Sequence, residues 1–251
     1  MYDLAIIGAG WAGFNAALEA KKLGLKTVLI EKDKIGGTCL NRGCIPTKTL
    51  IHSAKVYSLI KKSSKFGIES SAPKVNFPEI QNRKQAIINQ LARGMQFMLK
   101  GVEFLHGEAR FISNEDLVVA DNRIKAKYII IATGSSPIQL PGLGFDNKKI
   151  ISSKSLLDYD KIPESLLIIG GGVIGCEFAC LFATLGTKVT IVELMPQLLP
   201  QEDKEIARKI ETIFKKKGVE INTNTDAKKI DLNNFELVLL SIGRAPDFQG
   251  L

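Results

Sequence analysis

Cysteine and histidine are scarce here: four of the first and two of the second in 251 residues. So few cysteines exclude a secreted disulfide framework. A zinc site needs four ligands, and no second Cys/His pair stands at a suitable spacing, so no metal is expected. Long apolar runs are missing as well; none approaches the ~20 residues that cross a bilayer, and no membrane partner is expected. The chain opens "MYDLAIIGAG", a strand from the outset. With no signal or transit peptide ahead of that strand, a cytoplasmic location is expected, or an organelle matrix if a transit peptide has been removed.

Charge is plentiful but unorganised. There are 34 Lys and Arg against 26 Asp and Glu, a net +8. The basic clusters, "KKSSK" (61–65) and "KKK" (215–217), have acids and apolar residues between them. No zinc-finger spacing, RNA-binding signature or basic heptad pattern joins them, so the reading is a solvated Lys-rich surface and no nucleic-acid partner.

One motif occurs twice. "LAIIGAGWAGFNAALEAKKLGLKTVLIEK" (4–32) matches "LLIIGGGVIGCEFACLFATLGTKVTIVEL" (166–194). Gly8, Gly10, Gly13 and Glu31 recur at Gly170, Gly172, Gly175 and Glu193, each offset by 162 positions. Each copy reads as apolar strand, GxGxxG turn, helix, and a second strand ending in an acid. The first Gly makes the tight turn, the second admits a pyrophosphate, and the third lets helix pack on strand. The helix N-terminus offers free N–H groups to phosphates. The acid, 18 residues past the last Gly, can accept from adenosine ribose hydroxyls. The expected fold class is therefore α/β, with two Rossmann-like units in tandem. "LMPQLL" follows Glu193 with no Arg to receive a 2′-phosphate, which favours NAD over NADP.

Between the copies, 46–63 and 78–100 read as helices, the first with Pro46 suited to a first helical position. Strands follow in "VEFLHGEARFI", "DLVVA" and "KYIIIATG" (127–134). The Pro/Gly-rich "SSPIQLPGLGF" (135–145) is the expected boundary, giving domains 1–145 and 146–251. Beyond the second copy, 202–217 reads as an amphipathic helix and "FELVLLSIGRAP" (235–246) as a buried strand with a turn.

Cys39 and Cys44 fall in "GGTCLNRGCIPTK" (36–48), a Gly-rich loop just past the first acid. Cys44 immediately precedes the expected helix, where the dipole and Lys48 favour a thiolate; Cys39 lacks that support. A redox pair, a structural disulfide and half of a metal site all remain open on spacing alone. Cys176 and Cys180, at i and i+4 on the second glycine-loop helix, read as small buried side chains. His52 and His106 could act as bases by chemistry, but no motif surrounds either.

The cysteine segment is similar to the redox-active segment of the flavoprotein disulfide reductases. With "GGGVIGCEFA" (170–179) and Glu193, it most resembles the dihydrolipoyl dehydrogenases of that family. The resemblance implies a three-layer β/β/α form of the FAD/NAD(P)-binding fold. It implies FAD on Gly8, Gly10, Gly13 and Glu31, with Ala109 at the adenine and Thr133 and Gly134 close to the flavin. Cys44 would face the isoalloxazine, and Cys39 would exchange with dihydrolipoamide through a Cys39–Cys44 disulfide. Lys48 would lie near the flavin, paired with Glu177. NAD would lie on Gly170, Gly172, Gly175 and Glu193, with Gly243 at the nicotinamide end. The implied partners are lipoyl domains of 2-oxo acid dehydrogenase or glycine cleavage complexes, and a second copy of the chain.

The match covers about the first half of such a protein. A "GD" segment and a dimerisation domain supplying a His–Glu base are not in this sequence, and 226–240 is short for the family. The alternatives are a truncated FAD/NAD-binding module with little lipoamide turnover, or a mercuric- or glutathione-reductase-like enzyme.

Overall fold

A computed structural model describes every residue, Met1–Leu251. In chain order the elements begin β1 (Tyr2–Ile7), α1 (Trp11–Lys22), β2 (Thr27–Glu31), α2 (Gly37–Arg42), α3 (Cys44–Ile60) and α4 (Phe77–Met98). Next come β3 (Glu103–His106), β4 (Ala109–Phe111), β5 (Asp116–Val119), β6 (Asn122–Ile131) and β7 (Ser135–Pro137). Then follow β8 (Ile150–Ile151), α5 (Ser153–Leu157), β9 (Ser165–Ile169), α6 (Val173–Leu185) and β10 (Lys188–Val192). The last are α7 (Lys204–Lys216), β11 (Glu220–Asn222), β12 (Leu237–Leu240) and β13 (Arg244–Pro246). No helix is long and apolar enough to cross a membrane.

Two compact units result. One comprises Met1–Ile45, Ala86–Ser136 and Ala245–Leu251; the other comprises Pro46–Gln85 and Pro137–Arg244. Neither is contiguous in sequence, because apolar side chains assign each stretch to a core. Leu50, Ala54 and Phe77 pack in the second unit's core, whereas Ile88, Met95 and Leu99 pack in the first. One crossing, at 136/137, falls inside the Pro/Gly-rich connection.

The first unit holds a six-stranded sheet in the order β3-β2-β1-β6-β5-β4. Its first four strands are parallel, and β6, β5 and β4 form an antiparallel meander. Successive side chains of a strand point to opposite faces, and this sorts the layers. Leu4, Ile6 and Leu29 face helices through Phe14, Ala17, Ile88 and Met95. Ala5, Ile7, Val28 and Ile30 face the meander through Leu117, Val119 and Ile124. The β/β/α layering expected from the resemblance is the one observed.

The second unit holds a five-stranded parallel sheet, β11-β10-β9-β12-β8. One face packs Leu166, Ile168, Val189 and Ile191 on Phe178, Phe182 and Phe214 of α6 and α7. The rings of Phe178 and Phe182 stack at 6.3 Å, both almost fully buried. The other face, Leu167, Ile169, Val238 and Leu240, is covered by Ala227, Ile230, Leu232 and Phe235. Those four lie in the short 226–240 stretch, which forms two 3-10 turns capped by Asp226 and Asp231. Helix α7 begins where Asp203 caps it, accepting from the amides of Glu205 and Ile206.

Candidate active site

The two glycine turns are near-copies. Gly8 and Gly170 each sit at φ +103°, a conformation open to glycine but not to L side chains. A Cβ at Gly8 would overlap the Ala132 carbonyl, and one at Gly170 would lie 2.5 Å from the Ser241 carbonyl. Gly13 and Gly175 press against the carbonyls of Gly8 and Gly170, bringing helix onto strand. Gly10 and Gly172 hold the N-cap positions of α1 and α6 in extended conformation, and neither helix has a side-chain cap or an acid in its first turn. The leading amides are left for an anion. Nothing lies within 4 Å of a Cβ built on Gly172, so a phosphate can approach. The residues fit dinucleotide pyrophosphates.

Both acids do more than wait for a ribose. Glu31 and Glu193 are buried, and each closes its own turn. Glu31 accepts from the amides of Ala9 (2.7 Å) and Asp33 (2.8 Å). Glu193 accepts from those of Gly171 (2.6 Å) and Met195 (2.8 Å). A second lone pair on each oxygen is left for a ribose hydroxyl.

A further equivalence escaped the sequence reading. The amide of Ala132 donates to Ile7 and that of Ser241 to Ile169, both at 2.8 Å. The stretches Ala132–Gly134 and Ser241–Gly243 therefore cross their glycine turns alike. The signal was present: each follows an apolar strand and runs Gly-x-x-Pro, as "GSSP" and "GRAP". Ser241 is a residue the reading missed; its hydroxyl donates to the carbonyls of Ile169 (3.2 Å) and Gly170 (3.1 Å).

The cysteine segment is not a loop, contrary to expectation. Cys39 lies in the first turn of α2, and Cys44 is itself the first residue of α3, which moves Pro46 to the third. Gly43 (φ −145°, ψ −117°) separates the two helices, and a Cβ there would come 2.9 Å from the Thr38 carbonyl. Cys39 thus shares the helix-start position that the sequence granted only to Cys44. What still distinguishes them is Lys48, one turn beyond Cys44, and exposure: Cys44 is exposed and Cys39 half-buried, with no disulfide between them.

This segment is fastened to the first glycine turn. The Gly36 amide donates to the Ala9 carbonyl at 2.8 Å, and a Cβ on Gly37 would stand 2.7 Å from the Gly10 Cα. Asn41 donates to the carbonyls of Ile35 and Gly37, and Arg42 pairs with Asp33. Lys48 and Glu177 form an ion pair at 2.5 Å.

The remaining candidates differ in burial. His52 and His106 are exposed, His106 on the edge strand β3. Ala109 is buried on β4 opposite Val119. Cys176 is buried, and burial foremost, then the Glu193 charge, pushes its thiol up to about 12. Cys180 is only half-buried, within 3.7 Å of the Lys217 ammonium, so it is less enclosed than its spacing suggested.

In the second unit the turn opens into a cleft of about 580 Å³. Gly170, Gly172, Glu193, Ser241 and Gly243 line it, and no Lys, Arg or His does. A 2′-phosphate would meet the Glu193 carboxylate with no cation in the lining to offset it.

The sequence model for pyridine nucleotide-disulphide oxidoreductases matches residues 2–249. The chain belongs to the pyridine nucleotide-disulphide oxidoreductase family. Members of this family work with FAD and NAD(H). A dihydrolipoyl dehydrogenase of Bacillus subtilis is 42% identical across 99% of this chain and 59% of its own length. One from Acholeplasma laidlawii is 38% identical across the whole chain and 80% of its own. Among solved structures, the HOCl-induced flavoprotein disulfide reductase RclA of Escherichia coli superposes with a TM-score of 0.85 at 32% identity, over the whole chain and 58% of RclA. LpdA of Mycobacterium tuberculosis gives 0.89 at 27%, over 99% of this chain and 60% of LpdA. This family member thus spans about three fifths of most of these relatives.

Proposed function

We propose that this chain carries the FAD- and NAD-binding halves of a dihydrolipoyl dehydrogenase, with Cys39 and Cys44 as its redox-active pair. The observation that carries the reading is the Gly36 amide bonded to the Ala9 carbonyl, which holds the dithiol segment against the first glycine turn. Gly8, Gly10, Gly13 and Glu31 would hold FAD, with Ala109, Thr133 and Gly134 along its length. Gly170, Gly172, Gly175, Glu193 and Gly243 would hold NAD. FAD, when bound, would supply a two-electron acceptor for the dithiol, and NAD the final acceptor.

The chain's own part is thiol–disulfide exchange. A dihydrolipoamide thiolate attacks Cys39 Sγ of the oxidised pair, forming a mixed disulfide and releasing Cys44 as thiolate. The second lipoamide thiol attacks the mixed disulfide, leaving cyclic lipoamide, a Cys39 thiol and a Cys44 thiolate. Two hydrogens have left the substrate, and the protein disulfide has been reduced. The helix start at Cys44 and the positive charge of Lys48 stabilise that thiolate. Glu177 orients Lys48 through their ion pair. Lipoyl domains of 2-oxo acid dehydrogenase or glycine cleavage complexes are the proposed partners, and a second copy of the chain the proposed dimer mate.

The experiment is lipoamide-dependent NADH oxidation by wild type, Cys39→Ser and Cys44→Ser. Both variants are expected to lose it while NADH-to-dye activity survives; full lipoamide turnover in both would remove the pair from the reaction. A second reading is a nucleotide-binding module with little lipoamide turnover. Wild type inactive with lipoamide but retaining FAD would select it.

A further inference from the structure

One wall of the second unit's cleft has no regular structure. Leu199, Pro200, Gln201 and Glu202 line the cleft from the stretch between β10 and α7. Ordering such a stretch only when a ligand arrives would cost conformational entropy at each residue and weaken binding. Here it is already tied down.

Three contacts fasten it. The Leu199 amide donates to the Gly171 carbonyl at 2.8 Å, and the Cys176 thiol donates to the same oxygen at 3.3 Å. The Leu198 side chain is fully buried beneath Gly171, where a Cβ would come 2.5 Å from its Cδ2. The Leu198 amide donates to Glu211 Oε1 at 3.1 Å. Glu211 sits in the middle of α7, and no residue of that helix lines the cleft. Its carboxylate meets the wall at the Leu198 amide, next to the lining residue Leu199. An amide–carboxylate bond is charge-assisted and stronger than a neutral one.

We infer that Glu211 is a positioning residue for the dinucleotide cleft, presetting the Leu199–Glu202 wall through the Leu198 amide. The inference rests on the reading that this cleft takes NAD. It assigns a role to a helix outside the glycine motif, and it accounts for an acid facing back toward the turn.

The test is calorimetric titration of the FAD-loaded protein with NADH, with amide hydrogen exchange at Leu198 and Leu199. Glu211→Ala is expected to raise the NADH Kd about tenfold, or ~1.4 kcal/mol, and to speed exchange at both amides. Glu211→Gln, which keeps an acceptor oxygen, is expected to stay within about twofold of wild type. Glu205→Ala, an exposed acid on the same helix, controls for net charge and is expected to change nothing. If Glu211→Ala does not fold, Glu211→Thr, too short to reach Leu198, takes its place. Wild-type affinity in the short variants, or a Gln variant as weak as Ala, overturns the inference. A wild-type protein that binds no NADH overturns instead the reading of the cleft.

Discussion

The Gly36 amide and the Ala9 carbonyl lie 2.8 Å apart, joining the residue before α2 to the middle of the first glycine turn. The Leu199 amide makes the same bond to Gly171 in the second turn. Ala9 and Gly171 are equivalent in the two copies, and each donates its own amide to the acid of its copy. A repeated latch thus fastens a different loop in each unit: a dithiol in the first, a cleft wall in the second.

The dithiol latch depends on Gly37. Its φ of +54° and the 2.7 Å approach of a Cβ to the Gly10 Cα leave no place for a side chain. Gly37→Ala is expected to cost about 1–2 kcal/mol from the left-handed backbone alone, and to lift the dithiol segment off the turn. Bound-flavin absorbance per protein should fall; unchanged flavin content and lipoamide turnover would refute this.

Glu193 closes its turn, and under the proposed function its carboxylate also repels a 2′-phosphate. Glu193→Ala is expected to weaken NADH by about tenfold or more as buried amides lose their acceptor. It should also narrow the preference for NADH over NADPH. Paired titrations with the two nucleotides measure both effects.

Cys176 makes a pH prediction. Its thiol is raised from 9.0 to about 12 in the folded chain, by burial first and then by Glu193. A raised acid holds its proton longer when folded than when unfolded, so its contribution to stability is full below pH ~9 and is lost as pH rises towards 12. Urea unfolding at pH 8 and at pH 10.5 should show a larger fall for wild type than for Cys176→Ala. At pH 8, iodoacetamide should label exposed Cys44 and spare Cys176.

Phe182 anchors the second unit, fully buried and stacked on Phe178. Phe182→Ala is expected to cost about 3–5 kcal/mol, read as a lowered denaturation midpoint. A change below about 1 kcal/mol would mean that the core closes over the gap.

Strand β6 carries a liability. On the side away from β1 it pairs with β5 only through 122–125, and Tyr128, Ile130 and Ile131 are exposed beyond that point. An apolar strand with an unpaired edge invites association. Ile131→Lys is expected to reduce concentration-dependent light scattering, and equal scattering would place self-association elsewhere.

The glycine spacings, the terminal acids and the alternation of apolar residues follow from local rules of turn geometry and strand period, and these were legible along the chain. That is why the two strand–turn–helix–strand copies around Gly8, Gly10, Gly13, Glu31 and their four counterparts could be read directly, and with them the α/β class; the β/β/α layering came with the family resemblance. The cysteines were legible as a pair, but not their setting. Gly43 separates the two helices at a point where neighbouring backbone leaves room only for glycine. The latches at Ala9 and Gly171, the hydroxyl of Ser241 and the reach of Glu211 to Leu198 join residues with no periodic relation. Such contacts exist only once sheet and helices have packed. Patterning along the chain specified which elements form and what they can bind; close packing decided which loop each glycine turn holds in place.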